Sequence, residues 1–205
     1  MNKGILGAYR NGNTKVLLYK DGTKIKWTPD NEPECCEYPE TIDISISDRC
    51  DRRCSFCYAG ATPDGAYADF NSPLFESLRP YTEIALNGNG VFENHEFIPF
   101  LKRMAEKKVI CNLTFHLDHF IKYHQTIKYL SEENLIWGIG VSVNVPIGDG
   151  VISYLRSIPN VIVHVVAGVV PWGTLVKLSN HGLKLLILGY KNYGRGEDYL
   201  RANPD

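Results

Sequence analysis

Thr41-Ile42-Asp43-Ile44-Ser45-Ile46-Ser47 sets isoleucine on every second residue and short polar side chains between them. That period of two predicts a β-strand with one apolar and one polar face. Three residues further on comes Cys50-Asp51-Arg52-Arg53-Cys54-Ser55-Phe56-Cys57-Tyr58, which places three thiols in the loop leaving the strand. The same alternation recurs downstream. In Glu83–Asn87, Ile84 and Leu86 oppose Glu83, Ala85 and Asn87. In Val109–His116, Cys111, Leu113 and Phe115 oppose Asn112, Thr114 and His116. In the last part of Leu135–Asn144, Ile139, Val141 and Val143 oppose Gly138, Gly140, Ser142 and Asn144. Val161–Val170 and Leu183–Tyr190 complete six strand-like runs.

Helix-like segments separate these strands: Glu96–Lys108, Leu117–Glu133, Asp149–Ile158 and Trp172–His181, with a weaker one around Pro73–Leu78. Alternation of strand and helix predicts βα units and a parallel sheet. Parallel strands covered on both faces by helices are apolar on both. These strands have one apolar face, suited to an outer helical layer, and one small, polar, glycine-spotted face. A closed eight-stranded barrel fills its interior with branched apolar side chains and needs two more strands. The expected fold is therefore α/β, a partial (β/α)6 TIM-like barrel whose open interior suits a polar ligand.

Residues 1–28 read as a small antiparallel β-meander. Ile5–Arg10, Lys15–Tyr19 and Lys24–Trp27 are separated by the hairpin signals Asn11-Gly12-Asn13 and Asp21-Gly22. Ile5, Leu17, Leu18, Ile25 and Trp27 supply the apolar face expected to pack on the barrel. This segment carries Lys3, Arg10, Lys15, Lys20, Lys24 and Lys26 against Asp21 alone, as a solvated face or as a docking surface for an anionic or peptide substrate. Residues 29–40, with Asp30, Glu32, Glu34, Glu37, Glu40, Pro33 and Pro39, read as a polar linker. Residues 41–205 form the barrel unit.

The chain has 205 residues, 22 basic and 23 acidic side chains and a net charge of −1. No global field draws it to nucleic acid or anionic lipid. Its longest apolar stretch, Val161–Trp172, includes His164 and Pro171 and is too short to span a bilayer, so no membrane partner is expected. The first residues, MNKGILGAYR, lack the apolar core of a signal peptide, so a cytoplasmic, reducing setting is expected. There the six cysteines are expected as ligands or core residues rather than disulfides.

Cys50-x3-Cys54-x2-Cys57, with Phe56 before and Tyr58 after the last cysteine, resembles the radical S-adenosylmethionine (SAM) superfamily over roughly Thr41 to Lys191. The resemblance implies a [4Fe–4S] cluster on the three cysteines, with one iron open to the amino and carboxylate groups of SAM. It implies reductive cleavage of SAM to methionine and a 5′-deoxyadenosyl radical that abstracts hydrogen from a substrate. It also implies an electron donor such as flavodoxin or ferredoxin, and leaves the substrate open between a small molecule and a peptide or protein. Phe56 would lie near the adenine, and Tyr58 is a further cofactor-binding candidate. Asn87, Gly88 and Asn89 stand where the superfamily has a glycine-rich motif that binds the SAM amino group. The usual acid is absent, and Glu93 is a poor substitute. Ser142 and Asn144 would contact the SAM ribose or carboxylate. Gly168 and the Leu188-Gly189-Tyr190 strip would offer backbone to the adenine.

Each position has a plainer reading. The cysteines could belong to a non-catalytic iron–sulfur or zinc-binding module, although structural zinc sites pair C-x2-4-C with a second such pair. Asn87–Asn89 is also a turn signal, and Ser142 and Asn144 could cap a strand end. His116, Asp118 and His119 are rim groups with acid–base chemistry, with Asp118 read as the cap of a helix beginning near His119. His164 reads as an interior histidine and Cys111 as core. Lys191, Tyr193 and Arg195 are rim residues placed for substrate contact. Cys35-Cys36 lacks partners for an auxiliary cluster.

Overall fold

The computed structural model describes residues 4–29, 32–189 and 191–204. Lys3, Asp30 and Tyr190, named above, lie outside the described residues. The chain opens with β1 (Ile5–Asn11), β2 (Thr14–Tyr19) and β3 (Lys24–Trp27), an antiparallel sheet in that order. It continues with β4 (Thr41–Ser45), α1 (Pro73–Ser77), β5 (Glu83–Asn87), α2 (Phe97–Glu106), β6 (Ile110–His116), α3 (Leu117–Lys122), α4 (His124–Glu132), β7 (Ile139–Ser142), α5 (Asp149–Arg156), β8 (Val161–Val166), α6 (Trp172–Asn180), β9 (Lys184–Leu188) and α7 (Arg195–Ala202).

Strands β4 to β9 form one six-stranded sheet in strict sequence order, every pair parallel. The apolar faces lie together. Ile84, Leu86, Leu113, Phe115, Val141, Val163 and Val165 share one buried cluster with Leu101, Met104, Ile127, Leu130, Ile152, Leu155 and Leu178 of the helices. Helix α2 shows why. Phe97, Phe100, Leu101 and Met104 are fully buried at spacings of three and four, one continuous stripe. Full burial of each such side chain contributes about 1.5–3 kcal/mol.

The other face of the sheet carries Asp43, Ser45, Ala85, Asn87, Asn112, Thr114, Ser142 and His164, none of them fully buried. It is not polar throughout. On β8 and β9 it presents Ile162, Leu186 and Leu188, which are 36%, 43% and 39% exposed. Nor are its glycines empty space. A Cβ on Gly140 would sit 2.5 Å from Thr114 Oγ1 and 2.6 Å from His164 Cε1. The missing side chain lets its neighbours pack across the strand.

Several expected boundaries shift. The expected helix over Leu117–Glu133 is two helices, α3 and α4, broken at Tyr123. The strand expected over Leu135–Asn144 is regular only over Ile139–Ser142. Gly168 does not belong to a strand. It lies two residues past β8 in a turn with φ +77°, where Val169 N donates to Val166 O at 3.1 Å. Helix α7 had no counterpart in the sequence reading.

The three-stranded sheet meets the six-stranded one at the N-terminal end of β5, away from the cysteine loop. Tyr9 stacks on Tyr81 at 5.7 Å, and Lys24 pairs with Glu83 at 2.8 Å. Its buried side is Asn11, Thr14, Val16 and Leu18. Of the apolar face expected from sequence, Leu18 is buried, whereas Ile5, Ile25 and Trp27 are exposed. The reason lies in β3, whose inward residues are lysines. Lys24 meets Glu83, and Lys26 meets Glu34 and Glu40 at 2.8 Å each, which turns Ile25 and Trp27 outward. The acidic linker is pinned as well. Asn11 Oδ1 accepts from Glu37 N at 2.9 Å and Tyr38 N at 3.2 Å, and Asn13 Nδ2 donates to Pro33 O at 3.0 Å.

Candidate metal centre

The cysteine loop leaves the C-terminal end of β4 and is held from several sides. Residues after β4 run against the returning segment 62–68: Asp48 N donates to Ala66 O, Cys50 N to Thr62 O and Ala68 N to Ile46 O, at 2.8–3.0 Å. Arg52 forms an ion pair with Asp118 of α3. Asp51 lies 3.6 Å from His119 Nε2, whose Nδ1 accepts from Gly90 N at 3.1 Å. Arg195, at the start of α7, holds the loop's far side. Its Nε donates to Cys54 O at 2.9 Å, its guanidinium also to Ala61 O at 3.0 Å, and its backbone N to Cys57 O at 3.1 Å. Arg195 is thus a clamp on the loop, with its donors directed at backbone carbonyls.

Cys50, Cys54 and Cys57 are free thiols, all partly buried. Burial, and then the proximity of Cys50 and Cys57, push the Cys54 thiol up. Cys50 and Cys57 both act electrostatically on Cys54, but the three sulfurs do not close to the spacing of a single ion. Among the described residues, Glu34, Cys36 and Glu40 form the one trio of ligating side chains with donor atoms all within 4.8 Å of one another, and the three loop cysteines do not meet that limit. A tetrahedral zinc with Zn–S bonds of about 2.3 Å would bring its sulfurs to about 3.8 Å. An all-thiol donor set is the kind that iron–sulfur clusters take. The Glu34–Cys36–Glu40 trio already holds a cation, because the Lys26 ammonium lies between its carboxylates and Cys36 donates to Glu34 at 3.2 Å. Cys111 is core, and burial pushes its thiol up to about 12.

The ends of β5, β6 and β7 converge on the loop. Asn87 and Ser142 are the last residues of β5 and β7. Gly88 crosses close to Ser47, where a Cβ would sit 2.8 Å from the Ser47 backbone nitrogen. Asn89 reaches the loop itself, its Nδ2 3.3 Å from Cys50 Sγ while its Oδ1 accepts from His116 N at 2.8 Å. Asn144 Nδ2 lies 3.8 Å from Cys54 Sγ. His116, 4% exposed, joins the two arms, its Nε2 3.0 Å from Asn144 Oδ1. His116 also caps α3, with Nδ1 accepting from Asp118 N at 3.2 Å, so the cap is His116 rather than Asp118. Burial holds the His116 ring below the usual imidazole range.

The remaining candidates are placed as follows. Phe56 meets the Tyr199 ring of α7 edge-on at 5.8 Å. Tyr58 is exposed, with the Lys191 ammonium 4.3 Å above its ring. Gly168 is in the turn after β8. His164 is paired in register with Ser142, and burial lowers its affinity for a proton. Glu93 is taken up by Lys122 at 3.2 Å and Arg49 at 3.8 Å. A cavity of about 100 Å³ beside Cys50 is lined by Arg49, Asp51, Pro63, Gly90, Glu93 and His119. A larger open recess at Leu78, Tyr81 and Lys108 lies at the opposite end of the sheet, away from every candidate residue.

Sequence reasoning found the thiols and the convergent strand ends but not the clamp by α7. A signal was present. Gly194-Arg195-Gly196-Glu197-Asp198 puts acids in a first helical turn, and Arg201 follows in the last. No family model matches the chain, and no curated protein matches it. Among the described residues, no helix is long and apolar enough to cross a membrane.

Proposed function

We propose that the protein is a radical SAM enzyme, with the six-stranded sheet curved as a partial (β/α)6 barrel and its chemistry at the C-terminal strand ends. The observation that carries this reading is the set of three free thiols, Cys50, Cys54 and Cys57, brought together on one loop after β4. These residues would hold a [4Fe–4S] cluster. When bound, the cluster would supply the electron for reductive cleavage of SAM to methionine and a 5′-deoxyadenosyl radical able to take hydrogen from a substrate.

The chain's own residues bind, orient and shield. The Asn87–Asn89 turn would offer amide and backbone groups to the amino group of SAM, and Ser142 and Asn144 would offer hydroxyl and amide groups to its ribose or carboxylate. Phe56, Tyr58 and the backbone at Gly168 border the space for the adenine. Arg195 and Arg52 fix the loop from its two sides. The open face of the sheet pairs a polar half on β4–β7 with the apolar strip Ile162, Leu186 and Leu188, suited to a substrate that is itself part polar and part apolar. A ligand face of this kind supports an enzyme over a module that only carries a cluster, and three thiols on one loop with no second C-x2-4-C pair elsewhere in the sequence support a cluster over zinc. The electron donor would be a flavodoxin or ferredoxin, in a reducing cytoplasmic setting.

Anaerobic reconstitution of the full chain tests the reading. It should yield about four iron and four sulfide per chain, lost when Cys50, Cys54 and Cys57 are all changed to Ala. Stoichiometric zinc without sulfide would overturn it.

A further inference from the structure

Two backbone N–H groups dictate which way the asparagine amides point at the sulfurs. The His116 N–H donates to Asn89 Oδ1 at 2.8 Å. Asn89 therefore presents its NH2 on the other side, where Cys50 Sγ lies at 3.3 Å. The Asp118 N–H donates to His116 Nδ1 at 3.2 Å. A ring nitrogen that accepts carries no proton, so the neutral imidazole holds its proton on Nε2. Nε2–H then donates to Asn144 Oδ1 at 3.0 Å, and the Asn144 NH2 is left facing Cys54 Sγ at 3.8 Å. Flipping Asn144 would set its NH2 against Nε2–H and its carbonyl oxygen against the sulfur, repulsive on both sides.

The geometry points to His116 as a positioning residue for the cluster: its ring fixes Asn144 with an N–H aimed at the Cys54 thiolate, while its backbone N–H fixes Asn89 toward Cys50. This rests on the cluster reading above. Hydrogen bonds to ligating sulfurs draw electron density from them and favour the reduced, more negative cluster, so they raise its potential. Two of the three cysteines are served in this way. The third, Cys57, is approached by the clamp of α7 at its backbone carbonyl instead.

The test uses the full chain reconstituted anaerobically with iron and sulfide and titrated with dithionite, the one-electron midpoint being read by EPR. His116→Phe keeps the ring's shape without its nitrogens, and Asn144→Leu keeps the amide's shape without its N–H. Each should lower the equilibrium constant for reduction about tenfold, about 59 mV for one electron. The double variant should shift no further than Asn144→Leu, because the ring reaches the Cys54 sulfur only through that amide. An unshifted His116→Phe protein, or shifts that add, would overturn the assignment. A second measurement needs neither cluster nor variant: nitrogen NMR of the iron-free protein with labelled histidine should find the His116 proton on Nε2, and a proton on Nδ1 would overturn it. A wild-type chain that takes up no cluster overturns the enzyme reading and this one with it. A clustered wild type with additive shifts overturns this one alone.

Discussion

Arg195→Ala tests whether α7 locks the cysteine loop. The substitution deletes two hydrogen bonds from a guanidinium to backbone carbonyls, Cys54 O at 2.9 Å and Ala61 O at 3.0 Å. Bonds with a charged donor contribute about 1.5–3 kcal/mol each. The side chain is half-buried, so water recovers part of this, and the lower value gives about 3 kcal/mol for the pair. At about 2–4 °C per kcal/mol for a chain of this size, the melting temperature should fall by about 6–12 °C. The backbone N–H of residue 195 still reaches Cys57 O, and Tyr199 still meets Phe56, so the helix should stay docked while the loop loosens. Thermal unfolding of the iron-free full chain reads the first effect. Limited tryptic cleavage after the exposed Arg52 and Arg53 reads the second and should accelerate. An unchanged melting temperature with an unchanged cleavage rate would refute the clamp.

Among the described residues the buried Tyr9 hydroxyl has no hydrogen-bond partner, and burial, then Glu40, push it from 10.0 up to about 12. Because the folded value is raised, the contribution is present below pH 10 and lost as pH rises toward 12. Tyr9→Phe keeps the stack on Tyr81 and should lose less stability between pH 10 and 12 in urea titrations, and equal losses in both proteins would sink the argument. Gly140→Ala drives a methyl group into Thr114 and His164, which should cost about 1–3 kcal/mol. Adding Thr114→Ala should recover part of the melting temperature, whereas a Gly140→Ala protein as stable as the wild type would contradict the packing.

The sheet was legible because a period of two is hard to mimic: Ile84 and Leu86, or Leu113 and Phe115, can face one core only if the chain is extended. The break at Tyr123 was not legible, since residues on both sides are ordinary helix formers. The buried face of the first sheet was misread because Leu17 and Leu18 place an apolar residue on each side of β2. Inward lysines then decided the matter through Glu83, Glu34 and Glu40, partners 8 or more residues away that a local pattern does not show. The thiols were legible from spacing alone. Asn89, Asn144 and Arg195 were legible as rim residues, but their bonds to the loop were not, because these join residues 39, 90 and 141 positions apart. His116 stood out in the sequence as a rim acid–base group, but its part in the network depends on two backbone donors that only the fold supplies.

The most direct measurement is product analysis of the anaerobically reconstituted full chain incubated with SAM and dithionite. A radical SAM enzyme should yield 5′-deoxyadenosine and methionine, both lost when Cys50, Cys54 and Cys57 are changed together to Ala. A chain carrying its full complement of iron and sulfide that neither binds nor cleaves SAM would contradict this reading and leave only a cluster-carrying module.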